Sequence, residues 1–165
     1  MRKLLASLCI ASMLTGCSSW NYAPPEQATN VEEELQSTGY ADSVARVNSS
    51  VSDIIAQDGP LKNSLIRFTK SKDGFTSDDI ETITLQIEQL QSTINKSLND
   101  LRTFKSHEKV RAQRDSAISA IEKYNTDLNQ VLMEVQTGSQ KAAFNTMKRL
   151  NNDVEVLMEL VHAIK

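Results

Sequence analysis

Glycine, proline, cysteine and aromatic side chains are all scarce in this chain: its 165 residues include five Gly, three Pro, two Cys, one Trp, three Tyr and four Phe. So little glycine leaves few positions for the tight or closely approached backbone of a catalytic loop, and neither a Gly-x-Ser-x-Gly elbow nor a glycine-rich phosphate loop occurs. No Cys-x-x-Cys-His is present, which excludes covalently attached haem. Few aromatics mean that any core must be aliphatic. Long apolar runs are missing too, since the stretch from Leu4 to Leu14 is too short to span a bilayer.

What the chain does have begins at its N-terminus. Arg2 and Lys3 precede that apolar stretch, which is broken only by Ser7 and Ser12, and small residues lead into Cys17. This is the layout of a secretory signal. The tetrapeptide Leu14-Thr15-Gly16-Cys17 resembles the lipobox of bacterial lipoproteins. The resemblance implies removal of residues 1–16, diacylglycerol on the Cys17 sulfur and an acyl chain on its amine; the missing haem, metal and phosphate-loop patterns leave no other cofactor expected. Several acyl chains, at about 0.8 kcal/mol per buried CH2, give stable anchoring.

Under that reading Cys9 leaves with the signal and Cys17 carries lipid, so disulfides, cysteine nucleophiles and thiolate metal sites are excluded. Loss of Arg2 and Lys3 takes the net charge from −3 to −5. An acidic domain is a poor ligand for nucleic acid or for an anionic lipid surface, which leaves the lipid itself as the membrane contact. Ser18, which is not Asp, follows the modified cysteine and is compatible with the periplasmic face of the outer membrane in a Gram-negative cell. In a Gram-positive cell the same anchor places the protein on the outer face of the cytoplasmic membrane.

Residues 17–39 read as the lipidated N-terminus and a flexible tether, with Pro24-Pro25 stiffening it, Val31 and Leu35 almost its only apolar pair, and room for a short helical turn over Val31 to Gln36 between an Asn30 cap and Gly39. From Tyr40 the pattern changes. Apolar residues recur with alternating spacings of three and four through four segments, about 41–70, 77–105, 107–137 and 139–164. In the first, Val44, Val47, Val51, Ile54, Leu61, Leu65 and Phe68 hold one phase across Gly59-Pro60, which predicts one rod kinked at the proline. The second begins at a capping box formed by Thr76 and Asp79, with Phe75 placed for a staple onto Ile80. Ser106 caps the third, Gly138 ends it and Ser139 opens the fourth. Short connections between four long helices specify an all-α, antiparallel, up-down-up-down four-helix bundle with coiled-coil-like packing over residues 40–165. The even helix count puts the Ser106 turn at the pole nearest the anchor. The turns at Ser71-Gly74 and Gly138 form the far pole.

Asp58, Ser97 and Arg114 fall on core positions, where an unpaired charge is costly. Counted from the turns, Asp58 comes level with Tyr124, and Ser97 with Arg114. The spacing therefore predicts a Tyr124–Asp58 hydrogen bond and a Ser97–Arg114 layer assisted by Asp100 or Glu159. Glu159-Leu160-Val161-His162 matches the Glu-x-x-His element of di-iron bundles, but its register is outward and no second copy exists, so no metal site is expected. His107 starts a helix and faces solvent.

With no catalytic arrangement in view, the sequence reads as a non-catalytic, lipid-anchored cell-envelope protein that binds a protein partner in a scaffold, assembly or adaptor role. An immunity or exclusion lipoprotein is the alternative within the binding class. A carrier of a small apolar ligand, using Met147 and Met158, is the alternative outside it.

Overall fold

Alternating three-four spacing builds helices whose apolar stripes have to meet, and the computed structural model has them meeting in one core. It describes residues 25–71 and 76–163, with side chains from Gly39 onward. Helix α1 is Pro25–Lys70, α2 Ser77–Thr103, α3 Arg111–Gln136 and α4 Gln140–Ala163, and a single 3-10 turn, Glu108–Val110, precedes α3. The helices form an antiparallel four-helix bundle in which α1 packs against α2 and α4, and α3 closes the square between those two. Ile54, Leu61, Ile87, Leu90, Ile94, Ile121, Leu128 and Leu157 are among its fully buried residues. Tyr124 and Phe68 are the aromatic side chains buried with them among the described residues.

Local chemistry explains the ends of these helices. Thr76 Oγ1 accepts from the Asp79 N–H at 3.1 Å while the Asp79 carboxylate accepts from the Thr76 N–H, the capping box read from the sequence. Gly138 adopts a left-handed φ of 71°. It lets the Ser139 N–H reach the Glu134 carbonyl and its own N–H reach that of Val135, which together satisfy the last turn of α3. Phe75, Lys72 and Asp73, assigned to the far turn and its staple, lie outside the described residues, as do Cys17 and Ile164.

Two features depart from expectation. Residues 25–39 are not a flexible tether but the first turns of α1. Proline is tolerated in the first turn of a helix, where its missing N–H would be unpaired anyway, and the Glu, Gln, Ala and Leu that follow are good helix formers. Extending a helix already nucleated in the bundle costs little per residue. The third segment opens with the 3-10 turn instead of at Ser106. His107 Nδ1 accepts from the Lys109 N–H at 3.2 Å and serves as its cap, while Ser106 Oγ is buried with no partner. As its unbroken phase predicts, α1 continues through Pro60 as one helix. Gly59 and Pro60 are exposed, so water can serve the Ala56 carbonyl that the proline leaves without its intrahelical donor.

Both poles are tied by side chains. Ser43 Oγ donates to the Gly39 carbonyl and accepts from the His107 N–H, each at 2.8 Å. The Tyr40 and His107 rings meet edge to face at 5.6 Å. At the other pole Gln140 Nε2 donates to the Ser71 carbonyl at 3.0 Å. The first tie marks where the bundle ends, and the fifteen residues from Pro25 to Gly39 project past it, about 22 Å at 1.5 Å per residue.

Candidate functional site

Three carboxylates lie in or against the core, and the helices bring them toward one level of the bundle. Asp58 on α1 is 8% exposed, Tyr124 on α3 is fully buried, and Tyr124 Oη donates to Asp58 Oδ1 at 2.7 Å. This is the predicted pair. Burial raises the Asp58 carboxyl above the ordinary range, against the pull of the Tyr124 hydroxyl and the more distant Lys62 charge. Burial, together with the Asp58 charge, pushes the Tyr124 hydroxyl up, so it remains a protonated donor at any ordinary pH.

Asp153, on α4, is 6% exposed and also influences Tyr124. Its Oδ1 takes a hydrogen bond from Lys123 of α3, and its Oδ2 is buried with no partner. Lys123 Nζ also reaches Asp127 Oδ2 at 3.2 Å, and Arg149 Nε donates to Asp127 Oδ1 at 3.0 Å. Arg149 further donates to Thr146 Oγ1 at 3.0 Å. Two acids and two bases thus alternate along the α3–α4 seam. Burial, helped by the neighbouring Asp127 carboxylate, raises Asp153 despite Lys123. Burial pushes Asp127 the same way, but the hydrogen bonds from Arg149 and Lys123, with the neighbouring Asp153 carboxyl, outweigh it and hold Asp127 low. The Asp153 hydrogen bond raises the Lys123 ammonium in turn.

The second predicted layer does not form. Ser97 is buried, but its hydroxyl donates to the Ser50 carbonyl of α1 at 3.1 Å. Arg114 leaves the core position and pairs with the adjacent Asp115 at 2.8 Å. The Arg114 side chain stays largely covered and carries its guanidinium to the exposed Asp115, whereas a serine must take the nearest acceptor. Asp100 pairs instead with Arg46 at 3.6 Å.

Glu159 and His162 are exposed, as their register predicts, and His162 Nδ1 lies 2.7 Å from the Met158 carbonyl. Among the described residues, no group of three or more His, Cys, Asp or Glu side chains converges where a metal ion could be held. One Ser-x-x-Lys spacing does occur, Ser106-His107-Glu108-Lys109, but Lys109 is exposed and the Ser106 hydroxyl has no partner to activate it.

Sequence reasoning missed Asp153, Thr146, Ser50 and Ser43, all buried. Asp153 and Thr146 sit one residue before Val154 and Met147, on the flank of the α4 stripe, and only the seven-residue interval they share could have shown them. Outside the core, Ser49, Asp53, Gln57, Thr93, Lys96 and Asn99 line a polar groove of about 640 Å3 between α1 and α2. The Gln57 amide bridges it to Thr93 at 2.8 Å. Large apolar side chains also stand exposed, among them Phe144 and Met158 on α4, with the Lys148 ammonium 4.5 Å from the Phe144 ring. No helix among the described residues is long and apolar enough to cross a membrane. Comparisons with protein-family models, with curated proteins and with solved structures found no match.

Proposed function

We propose that this chain is a non-catalytic lipoprotein of the bacterial cell envelope, anchored through Cys17, whose helical bundle binds a protein partner. The observation that carries the reading is Leu14-Thr15-Gly16-Cys17 behind a basic and then an apolar segment. The bundle is compatible with it. Polar groups inside are used to hold helices together, and none is arranged as nucleophile and base. What is left for function is surface: long helix faces, the polar α1–α2 groove and the exposed Phe144 and Met158. In a Gram-negative cell, Ser18 after the modified cysteine favours the outer membrane.

Metabolic labelling with a palmitate analogue tests the anchor. The wild-type chain should incorporate label and float with membranes, and Cys17→Ala should do neither. Equal flotation of both would remove the basis of the proposal. Crosslinking the lipidated protein in its own envelope, with photoreactive residues in the α1–α2 groove and at Phe144, should then recover one discrete partner. A bound small molecule in the natively purified protein would instead favour the carrier reading.

A further inference from the structure

A carboxylate inside a helical bundle is normally matched by a cation, and Asp58 has none in contact. Its hydrogen-bond partner is the neutral Tyr124 hydroxyl, and the nearest charge that acts on it, Lys62, lies one turn along α1 on the exposed surface. On α4, Asp153 buries one oxygen that no donor reaches. The groups facing these two acids can be named for every helix. From α3 come Tyr124, Lys123 and Asp127, and from α4 Arg149 besides Asp153 itself. The buried face of α2 offers only Ile83, Ile87, Leu90, Ile94, Leu98 and Leu101 with Ser97, none of them charged. The layer therefore holds three acids, Asp58, Asp127 and Asp153, against two bases, Lys123 and Arg149.

We infer that this layer is an acid-tightened clasp: protons taken up by Asp58 and Asp153 strengthen the hold of α1 and α4 on α3 as pH falls below neutral. The chemistry balances without a further ligand. A protonated Asp58 keeps the Tyr124 bond through its carbonyl oxygen and loses the cost of a buried charge. A protonated Asp153 gains an O–H that the adjacent Asp127 carboxylate accepts, while Lys123 and Arg149 remain to neutralise Asp127. A carboxyl whose folded pKa lies above its unfolded value, about 3.9 for Asp, stabilises most fully below the unfolded value and loses that contribution as pH rises through the folded one. Asp127 and Asp79, held low, act in the opposite sense at more acid pH. The clasp therefore tightens as pH falls through the raised Asp58 and Asp153 carboxyls, until Asp127 and Asp79 are titrated in turn.

Hydrogen exchange on the full chain at pH 5, 6 and 7.5, expressed as protection factors, tests this. Protection of α1, α3 and α4 amides around Asp58, Tyr124 and Asp153 should rise as pH falls, by up to tenfold per pH unit for each proton taken up. Asp58→Asn and Asp153→Asn should each flatten the rise. Protection that is constant or lower at pH 5, or a slope unchanged in both variants, overturns the proposal. Should a variant fail to fold, carboxyl 13C titration of the wild-type chain decides: Asp58 and Asp153 midpoints above those of the exposed aspartates support the clasp, and ordinary midpoints overturn it.

Discussion

Tyr124 and Asp58 stand 66 positions apart in the sequence, yet the tyrosine hydroxyl reaches the carboxylate at 2.7 Å, tying α3 to α1 across the bundle. Tyr124→Phe keeps the ring and removes the donor, leaving a buried carboxylate with no partner. It should cost about 1–3 kcal/mol at pH 7, and less as pH falls toward the ordinary carboxylate range, because burial raises the Asp58 carboxyl. Denaturant unfolding at pH 7 and at lower pH measures both. An unchanged midpoint at pH 7 would deny the bond any energetic part.

Lys123 bridges α3 and α4 by touching Asp127 and Asp153 together. Lys123→Met should destabilise by about 1–2 kcal/mol at neutral pH, at the modest end because the lysine is itself largely exposed. Combined with Asp153→Asn, the loss should be smaller than the sum of the two single losses, since each change removes the other's partner. A double-mutant cycle reads this directly. Strict additivity would mean the pair is not coupled.

The outline of the fold was legible because each helix repeats one simple rule. The stripe from Val47 to Phe68 and the one from Ile83 to Leu101 alternate by three and four, and both are buried. Register also located the Tyr124–Asp58 pair, since two core-phase polar residues at one level have only each other to meet. It failed for Arg114, whose long, largely covered side chain reaches the neighbouring Asp115 instead of Ser97, and for Asp153, whose flank position becomes buried only when α3 packs beside it. The early start of α1 was hidden for another reason. Its first fifteen residues lack the apolar stripe by which the other turns were recognised, and helix propensity alone is a weak signal.

Gly138 holds a left-handed backbone at the end of α3, and a Cβ there would meet nothing within 4 Å. The penalty of Gly138→Ala is therefore purely conformational. It should lower stability by about 1–2 kcal/mol, and Gly138→Asn by less, because asparagine tolerates this region better. Thermal unfolding of the two variants should rank them in that order.

Pro60 sits exposed inside α1, one residue from the exposed Gly59. Pro60→Ala restores the N–H that the Ala56 carbonyl lacks and removes a ring clash, gains that reach about 3 kcal/mol in a helix interior. Restored backbone freedom in the unfolded chain takes back roughly 0.4–1 kcal/mol. The net effect should be a higher Tm. A lower one would mean that the local shape imposed by proline is needed to seat Asp58 against Tyr124.

Helix α1 is one continuous helix, about 69 Å of helical path at 1.5 Å per residue, and its later part packs within the bundle. A force applied ahead of Pro25 therefore acts along the helix axis. It loads α1 in shear against α2 and α4 together, and the contacts along both seams share the strain. They would be unzipped one by one only if the same force came at a right angle. Any tension between the start of α1 and the body of the bundle would be borne along that stronger direction.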